Sequence, residues 1–323
     1  MDKWRQFHNL FSAAASTCEA GLHDVAEPGK QKLHYPKNPM DDLTEKLDVT
    51  KSTGEIVAFS ERKLRASLRK SGAAPEMIQE VLRQLEPTLY EGIPTRKIYK
   101  QAYSILKKLS KPAAARYSLK QGIMQLGPSG FPFEKFVSEI LKTQGYSTRI
   151  GVFVDGHCVR HEIDVVAVKD GLTHMIECKY HNFSSNKSDV KVPMYIHSRF
   201  KDVEKVWLTD EEYEVKFHKS WVVTNTRFTE DAIRYATCMD MNLVGWDYPA
   251  KGGLKDFVNS YELYPITCLT TLKHNEKQNL LDQRIVMCKE ILQNRQLLLR
   301  MGFKQNRLDS IMREAESLCG HLL

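Results

Sequence analysis

Nothing in this chain is apolar for about 18 residues in a row, so no segment is long enough to cross a bilayer as a helix. The opening MDKWRQFHNLFSAAASTCEAGLHD holds one short apolar patch and no continuous hydrophobic stretch, and no secretory leader is expected. Cysteines are odd in number and scattered: Cys18, Cys158, Cys178, Cys238, Cys268, Cys288 and Cys319. That pattern excludes a disulfide framework and implies reduced thiols in a cytoplasmic protein. No Walker loop occurs, so a nucleotide must be held some other way. His157, Cys158 and His161 sit close together, but without a Cys-x-x-Cys pair or a fourth ligand they read as surface strand residues, not a zinc site.

What the chain does have is an ordinary globular composition, 42% hydrophobic and 27% charged, over 323 residues, which suggests two or three domains. Charge is uneven. Residues 46–128 hold 16 Lys and Arg against 7 Asp and Glu, whereas residues 129–250 hold 15 against 18. A basic segment ahead of an acidic one suits a polyanionic ligand, nucleotide or nucleic acid.

The most informative stretch is HEIDVVAVKDGLTHMIECKY, residues 161–180. Two strands are expected around an Asp170-Gly171 hairpin turn. Alternation puts Asp164, Val166 and Val168 on one face of the first strand, and Glu177 and Lys179 on one face of the second, opposite Ile176 and Cys178. Two carboxylates and an ammonium can then converge. Hard oxygen donors of this kind select Mg²⁺, which binds through one or two carboxylates and keeps several waters. The Cys178 carbonyl could add a ligand, and Lys179 could orient water or phosphate.

Asp164 followed by Glu177-Cys178-Lys179 resembles the signature of the PD-(D/E)xK nuclease superfamily. Upstream, GFPFEKFVSEILKTQGYSTRI resembles the first helix of Mrr-like restriction endonucleases, with Glu134 at the position of their site-completing glutamate. Downstream, WVVTNTRFTEDAIRYA and NLVGWD resemble the strand, helix and strand that close that core, with Thr229 capping the helix. The resemblance implies Mg²⁺ or Mn²⁺ held by Asp164, Glu177 and Cys178, with Glu134, Asp164, Glu177 and Lys179 catalytic. It further implies DNA as substrate, a prokaryotic defence role and a homo-oligomer, dimer or tetramer. Lys187, Lys191 and Arg199 are candidates to track the DNA backbone. The acidic run Asp210, Glu211, Glu212 and Glu214 reads as a loop.

Ahead of this lies LDVTKSTGEIVAFSERKLRASLRKSGA and three further helical stretches, with Ser60 and Thr95 as expected caps. Val49 to Lys51, Gly54, Phe59, Lys63-Leu64, Ser71-Gly72-Ala73, Thr95 with Ile98, and Ala114 to Tyr117 resemble an ATP-cone domain. By that resemblance Lys51 and Lys63 meet phosphates of ATP or dATP, with Ser52, Thr53 and Ser60 near the nucleotide. Many cones carry Lys-Arg where this chain has Lys51-Ser52, which leaves the ligand's identity open. Almost no linker follows, so movement of the cone is expected to displace Glu134 directly.

Trp4, Phe7, Leu10 and Phe11 suggest a short amphipathic helix followed by a linker. From Tyr264 several helices are expected. They vaguely resemble a helix-hairpin-helix unit, but Asp282-Gln283-Arg284 stands where a glycine would expose amides to phosphate, so core packing or oligomer contact is the expected role. The expected fold class is α/β (α+β): extension 1–45, helical ATP cone 46–128, restriction-endonuclease-like mixed sheet flanked by helices 129–250, helical tail 251–323. A Mg²⁺-dependent endodeoxyribonuclease under nucleotide control is the expected function. A catalytically silent DNA-binding scaffold and a structure-specific repair nuclease remain the alternatives.

Overall fold

A computed structural model describes residues 47–51, 53–209 and 216–319. The expected N-terminal helix with its linker, Ser52, and the acidic run at Asp210, Glu211, Glu212 and Glu214 lie outside the described residues.

The first region opens with strands β1 (Asp48–Thr50) and β2 (Ile56–Ala58), paired antiparallel. Gly54, at φ +85, makes their turn possible, because a side chain is disfavoured there. Strand β3 (Ile93–Pro94) joins β1 in parallel. Around this small sheet pack α1 (Glu61–Lys70), α2 (Pro75–Leu85), α3 (Thr95–Leu109) and α4 (Lys111–Tyr117); α5 (Leu119–Ile123) follows and buries Leu119 and Ile123 in the core of the regions after it. Leu64 and Leu68 of α1 face a core with Val81, Ile93, Ala102 and Leu106.

Two local expectations change. Thr95 is the first helical residue of α3, and the cap is Pro94, because Pro94 is held in register opposite Thr50 with extended backbone. The single helix expected over 113–127 breaks at Ser118, whose hydroxyl donates to the Ala115 carbonyl at 3.0 Å and competes with helix continuation.

The central region is a five-stranded mixed sheet ordered β10-β8-β6-β5-β4. Strands β4 (Ser147–Asp155), β5 (Arg160–Lys169) and β6 (Leu172–Lys179) form an antiparallel meander, and β8 (Phe217–Thr224) and β10 (Asn242–Val244) add on in parallel. The β5–β6 turn has Asp170 at φ 52 and Gly171 at φ 77, as its Asp-Gly pair predicts. Short strands β7 (Lys187–Ser188) and β9 (Arg227–Phe228) pair beside it.

Helices cover both faces. Helices α7 (Lys191–Thr209) and α8 (Glu230–Cys238) close one side, with Phe200 of α7 packed on Ile163, Val166, Met175 and Val222 of the sheet. On the other lie α6 (Phe131–Thr143) and α9 (Leu254–Tyr261), with Phe133 and Phe136 of α6 packed on Val165, Ile176 and Val223 of the sheet. Each such fully buried Phe contributes about 2 kcal/mol by leaving water.

The tail continues this second layer with α10 (His274–Asp282), α11 (Cys288–Gln293), α12 (Arg295–Arg300) and α13 (Gln305–Leu318), whose Leu280, Leu308 and Ile311 share the core of α6. It also reaches the first region. Arg116 Nη2 donates to the Ser317 carbonyl at 2.7 Å, Lys107 Nζ to the Thr270 carbonyl at 3.1 Å, and Thr267 Oγ1 to the Gly122 carbonyl at 2.6 Å. The tail grips α6 as well, through Lys135 to Glu290 at 2.5 Å, Lys289 to Glu139 at 2.8 Å, and the Arg284 guanidinium 4.7 Å above Phe131.

Candidate active site

Helix α6 buries Phe133, Phe136, Val137, Ile140 and Leu141, the expected stripe, and leaves Glu134 half-buried in its first turn. The carboxyl folds back over Gly130, where an added Cβ would lie 2.9 Å from Oε1. Glu134 is pushed up to about 7, first by burial and then by the negative charges of Asp164, Glu162 and Glu177.

Strand β5 does not alternate smoothly through Asp164. Its pairing with β4 runs Ile150↔Val165 and Val152↔Ile163, leaving Gly151, at φ +63, opposite Asp164. Ile163 packs with Val166 under α7, whereas Val165 and Ala167 pack under α6. A regular strand would place Ile163 with Val165, so the strand changes face at Asp164, and the even-numbered face expected from Asp164 through Val168 does not extend regularly through that residue. The cause is the left-handed glycine in the neighbouring strand, which acts as a bulge does, adding twist and re-aiming one side chain. Asp164 Oδ2 accepts the Cys178 amide at 2.7 Å.

Strand β6, after a register shift against β8 between Thr173 and His174, alternates regularly through Lys179. Ile176 and Cys178 enter the core beneath α6, and Glu177 and Lys179 lie on the other face, with Lys179 exposed. Burial raises Asp164 and Glu177 above the usual carboxylate range; the Asp164 charge lifts Glu177 further. The Cys178 amide opposes the rise at Asp164, while Arg199 and Lys179 oppose it at both acids. Burial, then the surrounding acids, holds the Cys178 thiol far above its ordinary value, so its sulfur stays a thiol.

Arg199 stands elsewhere than on a DNA-tracking surface. Its Nη1 meets Glu177 Oε2 at 2.8 Å, and its Nη2 donates to the Glu162 carbonyl. Spacing around Asp164 and Glu177 could not reveal this partner, 22 residues on in a separate helix. One signal was available, since Arg199 follows Ile196 by three residues and precedes Phe200, at the margin of the buried stripe of α7. Lys187 and Lys191 are exposed, and His197 Nδ1 shares a hydrogen bond with Tyr235 Oη at 2.8 Å.

Tyr180 links the site to the segment after the cone. Its hydroxyl donates to the Met124 carbonyl at 2.8 Å and its ring lies 5.7 Å from that of Phe133, beside Glu134. His161, weighed above as a surface residue, is tied to Asp202 at 2.8 Å.

Two half-buried carboxylates, both raised by burial and Glu177 further by Asp164, offer oxygens that suit a hard cation such as Mg²⁺. Among the described residues no group of three His, Cys, Asp or Glu could by itself hold a metal ion, so a third protein ligand would be a main-chain oxygen.

The candidate nucleotide residues are less assembled. Lys51 is half-exposed and paired with Glu55 at 3.0 Å, Thr53 is exposed in the turn, and Ser52 lies outside the described residues. Ser60 and Lys63 come together at the start of α1, where Ser60 Oγ accepts the Lys63 amide at 3.3 Å and the Lys63 side chain is exposed.

Comparison with known proteins matches this layout. An ATP cone domain family model covers residues 47–120, a restriction endonuclease model residues 127–248, and an AF1548-like C-terminal model residues 264–319. An uncharacterized protein of Archaeoglobus fulgidus is 36% identical over 185 residues, 57% of this chain and 100% of the relative. A crystal structure of a protein of unknown function, AF1548, is 34% identical with a TM-score of 0.50, covering 59% of this chain and 99% of that one. No helix among the described residues is long and apolar enough to cross a membrane.

Proposed function

The chain belongs to the AF1548-like family, here with an ATP cone domain ahead of a restriction endonuclease domain, and we propose that it is a divalent-metal-dependent DNA endonuclease governed by ATP or dATP. One observation carries the reading: Glu134, Asp164 and Glu177, from a helix and two strands, are each raised by burial, with the Asp164 charge lifting Glu134 and Glu177 further and Lys179 alongside. Acids held above their usual range are costly to a fold, which keeps them where chemistry needs them.

Asp164 and Glu177, with the main-chain carbonyl of Cys178, would hold Mg²⁺ or Mn²⁺. Such an ion supplies a more acidic bound water and offsets charge on phosphorus. Glu134, titrating near about 7, is suited to take a proton from the attacking water at neutral pH. Lys179 orients the scissile phosphate. Resemblance to Mrr-like enzymes extends the proposal to prokaryotic defence or restriction, and to a homo-oligomer that presents two sites to a duplex.

In the cone, Lys51 and Lys63 are the proposed phosphate contacts, with Thr53 and Ser60 beside them. The route to the site runs through the tail as well as the linker. Arg116 and Lys107 hold the tail, and the tail holds α6 on either side of Glu134, at Phe131, Lys135 and Glu139. A nucleotide acts along it only if it binds two arrangements with different affinity.

Plasmid incubated with Mg²⁺, with and without ATP or dATP, is the test. Wild type cuts and Glu177→Ala does not; failure of wild type to cut under every nucleotide removes the enzyme reading. Calorimetric titration should find ATP or dATP bound, about tenfold more weakly by Lys63→Ala, equivalent to one lost phosphate contact.

A further inference from the structure

We propose that Arg199 is a positioning residue of this site: its guanidinium is the resident counter-ion of Glu177, fixing that carboxylate and setting how tightly the site takes a divalent cation. The inference rests on the metal-dependent reading above and names a residue outside the acid and lysine set.

The Arg199 side chain is only 11% exposed, although it ends in a permanent charge. It touches both catalytic strands at once, Glu177 on β6 at 2.8 Å and the Glu162 carbonyl on β5, two residues before Asp164. Its guanidinium lies 5.6 Å from the Tyr195 ring, one helical turn back. Nε is buried with no hydrogen-bond partner among the described residues. A guanidinium carries five N–H donors, and a buried one serving packing alone would have its fork filled. Here one face of the fork is spent on a catalytic carboxylate and a donor is left orphaned.

The helix that presents Arg199 is locked to the start of β5, next to Glu162. Asp202, one turn on, accepts the amides of Cys158 at 2.9 Å and Val159 at 3.3 Å and meets His161 Nε2 at 2.8 Å. Its own carbonyl accepts the His157 amide at 3.0 Å. These bonds clamp α7 to the β4–β5 tip, while Ile196, Phe200 and Val203 pack its inner side. Arg199 is thereby delivered to Glu177 at a set height and has little freedom to leave.

Two consequences oppose each other. A fixed cation on Glu177 repels an incoming divalent ion and lowers its affinity. The same contact holds the carboxylate in one orientation, so the ion that does bind is better placed for cutting. Removing the guanidinium should tighten metal binding and weaken cleavage together. A merely structural arginine does not produce that split.

The experiment is Mn²⁺ titration of the full chain at pH 8.5 by calorimetry and electron paramagnetic resonance, with plasmid cleavage and thermal melting in parallel. Arg199→Gln should bind Mn²⁺ about fivefold to tenfold more tightly and cut at least about tenfold more slowly. Arg199→Lys keeps the charge without the fork, so it should retain wild-type Mn²⁺ affinity while cutting more slowly. Unchanged or weaker Mn²⁺ binding by Arg199→Gln overturns the assignment, and so does wild-type cutting by Arg199→Lys, which stands as the second test should the glutamine variant fail to fold. Absence of Mn²⁺ binding in wild type sinks the metal-dependent reading and this inference with it, whereas normal binding with an indifferent Arg199→Gln strikes Arg199 alone.

Discussion

Helix α6 carries two glutamates five residues apart in opposite surroundings. Glu139, 9% exposed, lies 2.8 Å from both Lys142 and Lys289, and those bonds outweigh the effect of burial and hold it below the usual carboxylate range. Glu134 has no hydrogen-bond partner for its carboxyl among the described residues and is pushed up to about 7 by burial and by three neighbouring acids. The tail repeats the first pattern. Glu314, 4% exposed, accepts the amides of Thr270 and Thr271 at 2.8 and 2.9 Å, and Glu290 takes Lys135 and the amides of Val286 and Met287. Glu139, Glu290 and Glu314 are amply supplied with donors, whereas Glu134 has none among the described residues, and Glu177 stays raised by burial and by Asp164 despite its pair with Arg199. Carboxyls held above their usual range, first by burial and then by neighbouring acids, set Glu134, Asp164 and Glu177 apart from these structural acids.

The contrast can be tested from both sides. Glu177→Gln should cost about 10³-fold or more in plasmid cleavage while leaving the melting temperature at or above that of wild type, because burial and the Asp164 charge outweigh its pair with Arg199. A large loss of stability would place Glu177 with the structural acids. Glu314→Ala should do the reverse, lowering stability by about 3 kcal/mol in denaturant titration by orphaning two buried amides, and a stable variant would break the comparison.

The smallest effect is the most diagnostic. Glu134 has a folded pKa above its unfolded value, so its contribution is fully present below about 4.5 and is lost as pH rises through about 7. Metal-free Glu134→Gln should therefore be more stable than wild type at pH 8 by about 1 kcal/mol, a figure discounted for partial solvent screening, with the difference vanishing near pH 4. A constant difference across that range would show that the substitution acts through packing and not through charge.

Much of the architecture was legible along the chain. The Asp170-Gly171 turn, the Ser60 and Thr229 caps, the α6 stripe and the alternation of β6 depend on neighbours within four residues. The helical tail was legible too, though not its joint grip on the cone and α6, because its main-chain carbonyls accept from side chains about 150 to 200 positions away. Thr95 and Ser118 were misread where a strand register and a hydroxyl overrode local helix signals.

By itself the sequence determined the three regions, the class of fold and which acids and lysine stand on the two central strands, because periodicity and turn chemistry are short-range. Only the tertiary structure decided that β5 changes face at Asp164, since the cause is Gly151 on a neighbouring strand. It also decided that Arg199 meets Glu177, since a helix's height over a sheet is set by remote contacts such as those of Asp202. Electrostatic deficit is a property of what surrounds a group in space, and a one-dimensional pattern carries the charges without their distances.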